Sequence, residues 1–129
     1  MQRPDIILDT VTIDCLEKDV PALMDFYERL TGFHRDPAGG DEVPTLLGKG
    51  IAISFFPVNH YYPPTFPSPA VGRQMHLDFY VTDLPAAVAY ALSIGARESP
   101  RQFHDSYRIL FDPAGHPFCL TLNGPAGGG

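Results

Sequence analysis

One short pattern occurs twice in the chain, and it constrains the fold more than any other feature. Asp14 lies five positions before Asp19–Val20–Pro21, and Asp78 lies five positions before Asp83–Leu84–Pro85. Each copy opens with an alternating run, Val11–Thr12–Ile13–Asp14–Cys15 or Met75–His76–Leu77–Asp78–Phe79–Tyr80–Val81, which reads as a strand with one buried face. Each then reaches a helix start, with a carboxylate as cap and a proline in the first turn, where its missing N–H costs nothing. Leu23, Met24, Phe26, Tyr27 and Leu30 give a helical stripe that Gly32 ends; Val88, Leu92 and Ile94 lead to Gly95 in the same way. From capping Asp to terminal Gly is thirteen positions in the first copy and twelve in the second. In this register Thr12 is the counterpart of His76, and Asp14 of Asp78.

Further strands complete each copy. After a loop at Pro37–Ala38–Gly39–Gly40, strand-like runs fall at Pro44–Leu47 and Ile51–Phe56, with Lys49–Gly50 as a tight turn between them. In the second copy they fall at Tyr107–Phe111 and Phe118–Leu122, around the turn signal Asp112–Pro113–Ala114–Gly115. Residues 57–74 are proline-rich (Pro57, Pro63, Pro64, Pro67, Pro69), which excludes a central strand or helix interior and predicts a stiff arm. The arm carries His60, Tyr61, Tyr62 and Phe66, aromatics that either pack on the body or line a ligand site. One βαβββ unit alone cannot bury its sheet, whereas two can. The prediction is an α+β fold of paired βαβββ units forming a cupped mixed sheet, with helices near 20–31 and 84–94 on the outer face. Its 129 residues suit one domain: unit one about 6–57, linker 58–74, unit two about 75–123 and a flexible tail 124–129.

Composition removes several function classes. Lys and Arg number 9 against a net charge of −6, which offers no basic face for nucleic acid. The apolar run Ile6–Leu8 stops at Asp9, too short for a signal-peptide core or a membrane span. Cys15 and Cys119 have neither metal-finger nor redox spacing and read as small buried residues, so a reducing cytoplasm is the expected location. No nucleophilic triad, phosphate loop or dinucleotide fingerprint is present.

Alternation turns Ile13, Leu77 and Phe79 toward the helices. It turns Thr12, Asp14, Phe56, His76, Asp78, Tyr80, Arg108, Cys119 and Thr121 toward the cup. Aromatic walls with a few convergent polar groups are usual for a small-molecule site, and Tyr61–Tyr62 on the arm could close over it. The bland alternatives stand beside this. His76 reads as a satisfied polar residue, a hydrogen-bond donor to a ligand or a general base. Asp78 could instead pair internally with Arg108. His34 after a helix end, His104 in a loop and His116 in a turn are expected to be solvated.

Taken together, several segments resemble the vicinal-oxygen-chelate superfamily, also called the glyoxalase/bleomycin-resistance/dioxygenase superfamily. They are Asp19–Val20–Pro21 through Phe26–Tyr27–Glu28–Arg29–Leu30–Thr31–Gly32–Phe33, His76–Leu77–Asp78 to Asp83–Leu84–Pro85–Ala86–Ala87, and Leu110–Phe111–Asp112–Pro113–Ala114–Gly115–His116–Pro117–Phe118–Cys119–Leu120. Tyr62–Pro63–Pro64–Thr65–Phe66–Pro67 ahead of His76 resembles its glyoxalase-like domain subgroup. The resemblance implies a homodimer and, in enzymes of the superfamily, a divalent metal held by His, Gln or Glu from the first and last strand of each unit. Carried over, those positions are Thr12 and His76, then Cys119, with Ala52 or Ser54 in unit one. Only His76 and Cys119 of these are metal ligands in character, one short of the three a catalytic ion needs, so no metal or other cofactor is expected. Asp14 and Asp78, two residues from Thr12 and His76 on the same face, are the available substitutes. The expected function is a metal-free, small-molecule-binding protein with a small organic ligand in the cup. The alternatives are a lyase, isomerase or extradiol dioxygenase using His76 with Asp78 or a non-standard metal site, and a structural or regulatory dimer without ligand.

Overall fold

The alternating run of the first copy forms β1 (Thr10–Leu16), and its apolar positions turn to one side while Thr12 and Asp14 remain exposed. A computed structural model describes residues 2–5, 7–37, 43–73 and 75–123. Of the expected loop at 37–40 only Pro37 is among them, and the tail 124–129 lies outside the described residues. The chain divides into two compact units, 1–61 and 62–129. Both have the βαβββ order the repeat predicts.

In unit one a single 3-10 turn (Glu17–Asp19) leads from β1 into α1 (Val20–Thr31), followed by β2 (His34–Arg35), β3 (Thr45–Leu47) and β4 (Ala52–Val58). The sheet order is β1-β4-β3-β2; β1 and β4 are parallel and the other pairs antiparallel. Gly32 ends α1 at φ 74°, a left-handed conformation that glycine adopts at no steric cost. Leu23, Met24, Phe26 and Tyr27 are the buried stripe of α1, and Tyr27 packs on Phe55 of β4 with ring centroids 5.5 Å apart.

Unit two repeats the plan with β5 (Leu77–Tyr80), α2 (Leu84–Ser93), β6 (Arg97–Glu98), β7 (Tyr107–Phe111) and β8 (Pro117–Thr121). Its order is β5-β8-β7-β6, with β5 and β8 parallel and the rest antiparallel. Helix α2 lies against β7 and β8. Phe118, Leu120 and Leu110 are buried on one face of the sheet, where Phe79 meets Phe118 edge-on at 5.8 Å.

Two local expectations need correction. Asp83 caps α2, its carboxylate accepting from the Ala86 amide at 3.1 Å, but Asp19 makes no such bond to α1. Asp19 lies in the preceding 3-10 turn at φ −92° and ψ −9°, not in the extended conformation a cap requires, and pairs with Lys18 Nζ at 3.0 Å instead. Pro57 was expected outside any central strand, yet it is the next-to-last residue of β4, the second strand of its sheet. At that point β4 has only β1 beside it, because β3 pairs no further along than Ser54. The absent N–H therefore falls on an open side.

Candidate functional site

Register assembles a mixed group of side chains on the second face of unit two's sheet. Asp78 lies beside Cys119 and Tyr80 beside Thr121 across β5 and β8. Across β7 and β8, Ile109 lies beside Cys119 and Tyr107 beside Thr121. His76 directly precedes β5, and its Nε2 is 3.3 Å from Asp78 Oδ1. The ligand-type atoms of His76, Asp78 and Cys119 all fall within 4.8 Å of one another.

A cavity of about 650 Å³ opens over this face. Besides strand residues, its walls include Phe66, Arg73, Phe103 and Asn123. The proline-rich arm delivers the first two. It folds into a loop in which Thr65 N–H donates to the Val71 carbonyl at 2.8 Å and Val71 N–H to Thr65 Oγ1 at 2.8 Å. The Arg73 guanidinium then lies 4.0 Å from the Phe66 ring centroid, and Phe66 meets Phe103 at 5.9 Å. Arm and sheet are held together at Pro63, since a Cβ on Gly115 (φ +94°) would come within 2.8 Å of the Pro63 Cβ.

Charge distinguishes the members of this group. Burial, and after it the Asp78 carboxylate, pushes the Cys119 thiol up from 9.0 to about 11, while Arg73 pulls the other way. Cys119 is therefore protonated at neutral pH and, unaided, no nucleophile. His76 and Asp78 keep partly exposed side chains, 32% and 58% accessible, so they can turn toward a bound group.

The expected site residues divide between the units. His76, Asp78, Tyr80 and Cys119 line the cavity of unit two. Thr12, Asp14 and Phe56 share a face of unit one's sheet, where Thr12 pairs with Ser54 and Asp14 with Phe56. On that face Ser54 is buried and shares a 2.7 Å hydrogen bond with Thr45. Tyr61 ends unit one, and Tyr62 is 73% exposed; neither lines the cavity, and the arm contributes Phe66 and Arg73 instead.

Arg108 lies on the opposite face from the one expected. It pairs with Leu120 in the ladder and bonds Glu98, its Nε donating to Oε2 at 2.8 Å. The Asp78–Arg108 pair is thus not formed. Tyr107 and Ile109 take the cavity side; Tyr-Arg-Ile-Leu-Phe is partly apolar in both phases, so alternation alone gave no signal for the choice. The unit-one counterpart of Cys119 is also corrected. Asp14 pairs with Phe56 as Asp78 pairs with Cys119, so that position is Phe56, not Ala52 or Ser54.

Among the other histidines, His116 is not solvated. Its Nδ1 lies 2.7 Å from Oδ2 of the fully buried Asp112, whose Oδ1 accepts the amides of Ala114 and His116. This pair closes the β7–β8 turn. His104 accepts from the Ser106 amide at 3.0 Å and stacks on Tyr107. His34 is exposed on β2.

The superfamily resemblance implies a divalent metal, and the donor chemistry of this face fits one. Imidazole, carboxylate and thiol together suit a zinc-class ion. Counting ligands by register yields His76 and Cys119; the third donor, Asp78, comes from being two residues from His76 on one strand face.

Comparison with known proteins agrees with this architecture. No helix among the described residues is long and apolar enough to cross a membrane. No curated protein matches the sequence. Solved structures do match. A glyoxalase/bleomycin resistance protein/dioxygenase family enzyme from Burkholderia phytofirmans superimposes with a TM-score of 0.69 at 18% identity, over 89% of this chain and 97% of its own. The fosfomycin resistance protein FosX from Mesorhizobium loti gives 0.68 at 11% identity, over 96% and 97%. A glyoxalase-related enzyme from Fulvimarina pelagi gives 0.63 at 16%, over 93% and 94%. At these identities the likeness establishes the fold alone. The sequence profile of the glyoxalase-like domain matches residues 10–121, nearly the whole chain. The chain belongs to the glyoxalase-like domain family.

Proposed function

We propose that the protein binds a small, partly aromatic organic molecule in the cavity over unit two's sheet. One observation carries the reading: Arg73, His76 and Asp78 converge on a cavity of about 650 Å³ whose other walls include Phe66, Phe103 and Tyr107. That size, with aromatic walls beside several convergent polar groups, lies within the range of small-molecule sites. In this reading Phe66 and Phe103 flank a flat ligand, while His76, Asp78 and Tyr80 orient its polar groups. A thermal-shift screen tests it, because a ligand that binds only the native state raises the melting temperature. Hits should lose about 1–3 kcal/mol of affinity in His76→Ala and Tyr80→Ala. A hit that binds both variants as tightly as the parent places the site elsewhere.

A second reading, catalysis, is favoured by the 3.3 Å contact between His76 Nε2 and Asp78 Oδ1, which suits an acid–base pair. Incubating each screening hit with the protein separates the two readings. Product that forms with the parent and not with His76→Ala establishes an enzyme; recovery of unchanged ligand supports binding alone. The superfamily resemblance also supports a homodimer, and the reduced thiols of Cys15 and Cys119 a cytoplasmic location. Sedimentation at micromolar concentration checks the association, and a monomer there overturns it.

A further inference from the structure

We propose that unit two carries a second binding pocket, where the proline-rich arm meets β6 and the β7–β8 turn, and that it takes a small aromatic carboxylate with Arg97 as the anion's partner. This goes beyond the ligand-binding reading and does not depend on it.

The walls come first. A pocket of about 430 Å³ lies at this junction, within the range of small-molecule sites. Pro63, Pro64, Pro100 and Pro113 line it together with Phe66 and Phe111. Proline side chains carry no polar atom and their nitrogens no hydrogen, so these walls offer ring faces rather than hydrogen bonds. A flat apolar ring is the body that fits them.

The polar groups at the walls are already committed, with one exception. Thr65 Oγ1 accepts the Val71 amide at 2.8 Å. In the turn, the Ala114 amide donates to Asp112 Oδ1 and the Gly115 amide to the Asp112 carbonyl, each at 2.9 Å. Arg97 is the exception. It is exposed on β6, its guanidinium lies 5.4 Å from the Phe111 ring centroid, and among the described residues it has no ion pair. The acid next to it in the chain, Glu98, is taken by Arg108. A guanidinium stacked on a ring keeps its in-plane N–H donors, and their fork matches the two oxygens of a carboxylate.

Charge supports the same ligand. The chain has a net charge of −6, yet among the described residues no Asp or Glu lines this pocket and Arg97 is its one charged side chain. The larger cavity differs, because Asp78 stands there beside Arg73. Phe66 is a wall of both spaces, so the test must tell them apart by residues that only one of them contains.

The test is a titration of the full-length, ¹⁵N-labelled protein with sodium benzoate at neutral pH and constant ionic strength, followed by amide shifts in NMR spectra. Shifts at Thr65, Arg97, Ala114 and Gly115 should saturate together in the millimolar range, as befits a one-ring ligand. Benzamide, which keeps the ring without the charge, and acetate, which keeps the charge without the ring, should each bind the parent more weakly. Arg97→Gln, at an exposed position, should weaken benzoate about tenfold or more. His76→Ala, which alters only the larger cavity, should leave these shifts and their midpoint unchanged. The proposal is overturned if the shifts do not saturate by about 20 mM benzoate, or if Arg97→Gln binds as tightly as the parent. It is equally overturned if benzamide or acetate matches benzoate, or if His76→Ala abolishes the shifts. Shifts confined to Asp78, Tyr80 and Cys119 would also overturn it, while supporting the ligand-binding reading of the larger cavity.

Discussion

Unit one and unit two share the βαβββ plan and the register of their first and last strands, and their sheets differ most on one face. Ile13 pairs with Phe55 as Leu77 pairs with Phe118, and both phenylalanines are fully buried. One residue further on, Asp14 pairs with Phe56 and Asp78 with Cys119. The inner positions are therefore alike in kind, while on the other face Thr12 stands where unit two has His76. The helix side must be apolar and close-packed for either sheet to form at all. The open side is under no such demand, and there unit two alone gathers imidazole, carboxylate and thiol beside a cavity.

The largest effect should come from the shared face. Phe55→Ala and Phe118→Ala should each destabilise the protein by about 3–5 kcal/mol, measured by urea unfolding. A near-neutral result at either position would break the equivalence of the two units. Thiol chemistry should come next and concern unit two. With its pKa raised from 9.0 to about 11, Cys119 in chelator-treated protein should carry about a hundredfold less thiolate at neutral pH than an ordinary cysteine. Alkylation mapped by mass spectrometry should be slow at pH 7 and accelerate as pH climbs toward 11. The sign for stability follows. The folded state holds this proton more tightly than the unfolded chain, so the contribution is complete below pH 9.0 and is lost as pH rises toward about 11. Rapid alkylation at pH 7 would contradict this burial.

The open faces should differ in ligand affinity. For any molecule found by thermal shift, His76→Ala should cost about 1–3 kcal/mol of binding and Thr12→Ala clearly less. Equal losses would place unit one in the site on the same footing. The helix starts give the smallest contrast. Asp83→Ala removes a formed cap and should cost about 1 kcal/mol. Asp19→Ala removes only a surface pair with Lys18 and should cost roughly 0.5 kcal/mol or less. Urea unfolding of the two variants resolves the difference, and a larger loss at Asp19 would mean that it caps α1 in solution.

What could be read from the residues alone was local or repeated. The strand alternation around Asp14 and Asp78, the prolines opening both helices, and Gly32 closing the first are short-range signals, and their recurrence implied two βαβββ units. The placement of His76, Asp78 and Tyr80 on one strand face was legible for the same reason, since it needs only a period of two. Tertiary structure decided whatever depends on a distant partner. A slip of two residues between β1 and β4 preserves every face, so periodicity could not tell Phe56 from Ser54 or Ala52 as the neighbour of Asp14. Arg108 faces away from the cavity because β7 pairs with β8 in the register that sets it beside Leu120, and there Glu98 on β6 meets its charge. Asp19 and Asp83 carry the same sequence signal, yet only the second has the extended backbone that lets a carboxylate cap. Arg73 and Phe66 reached the cavity through the fold of the arm, which Thr65 and Val71 close and Gly115 lets dock at Pro63. Hydrogen-bond register and loop docking are settled by groups far apart in the chain, whereas local pattern fixes only which side of its own strand or helix a residue occupies.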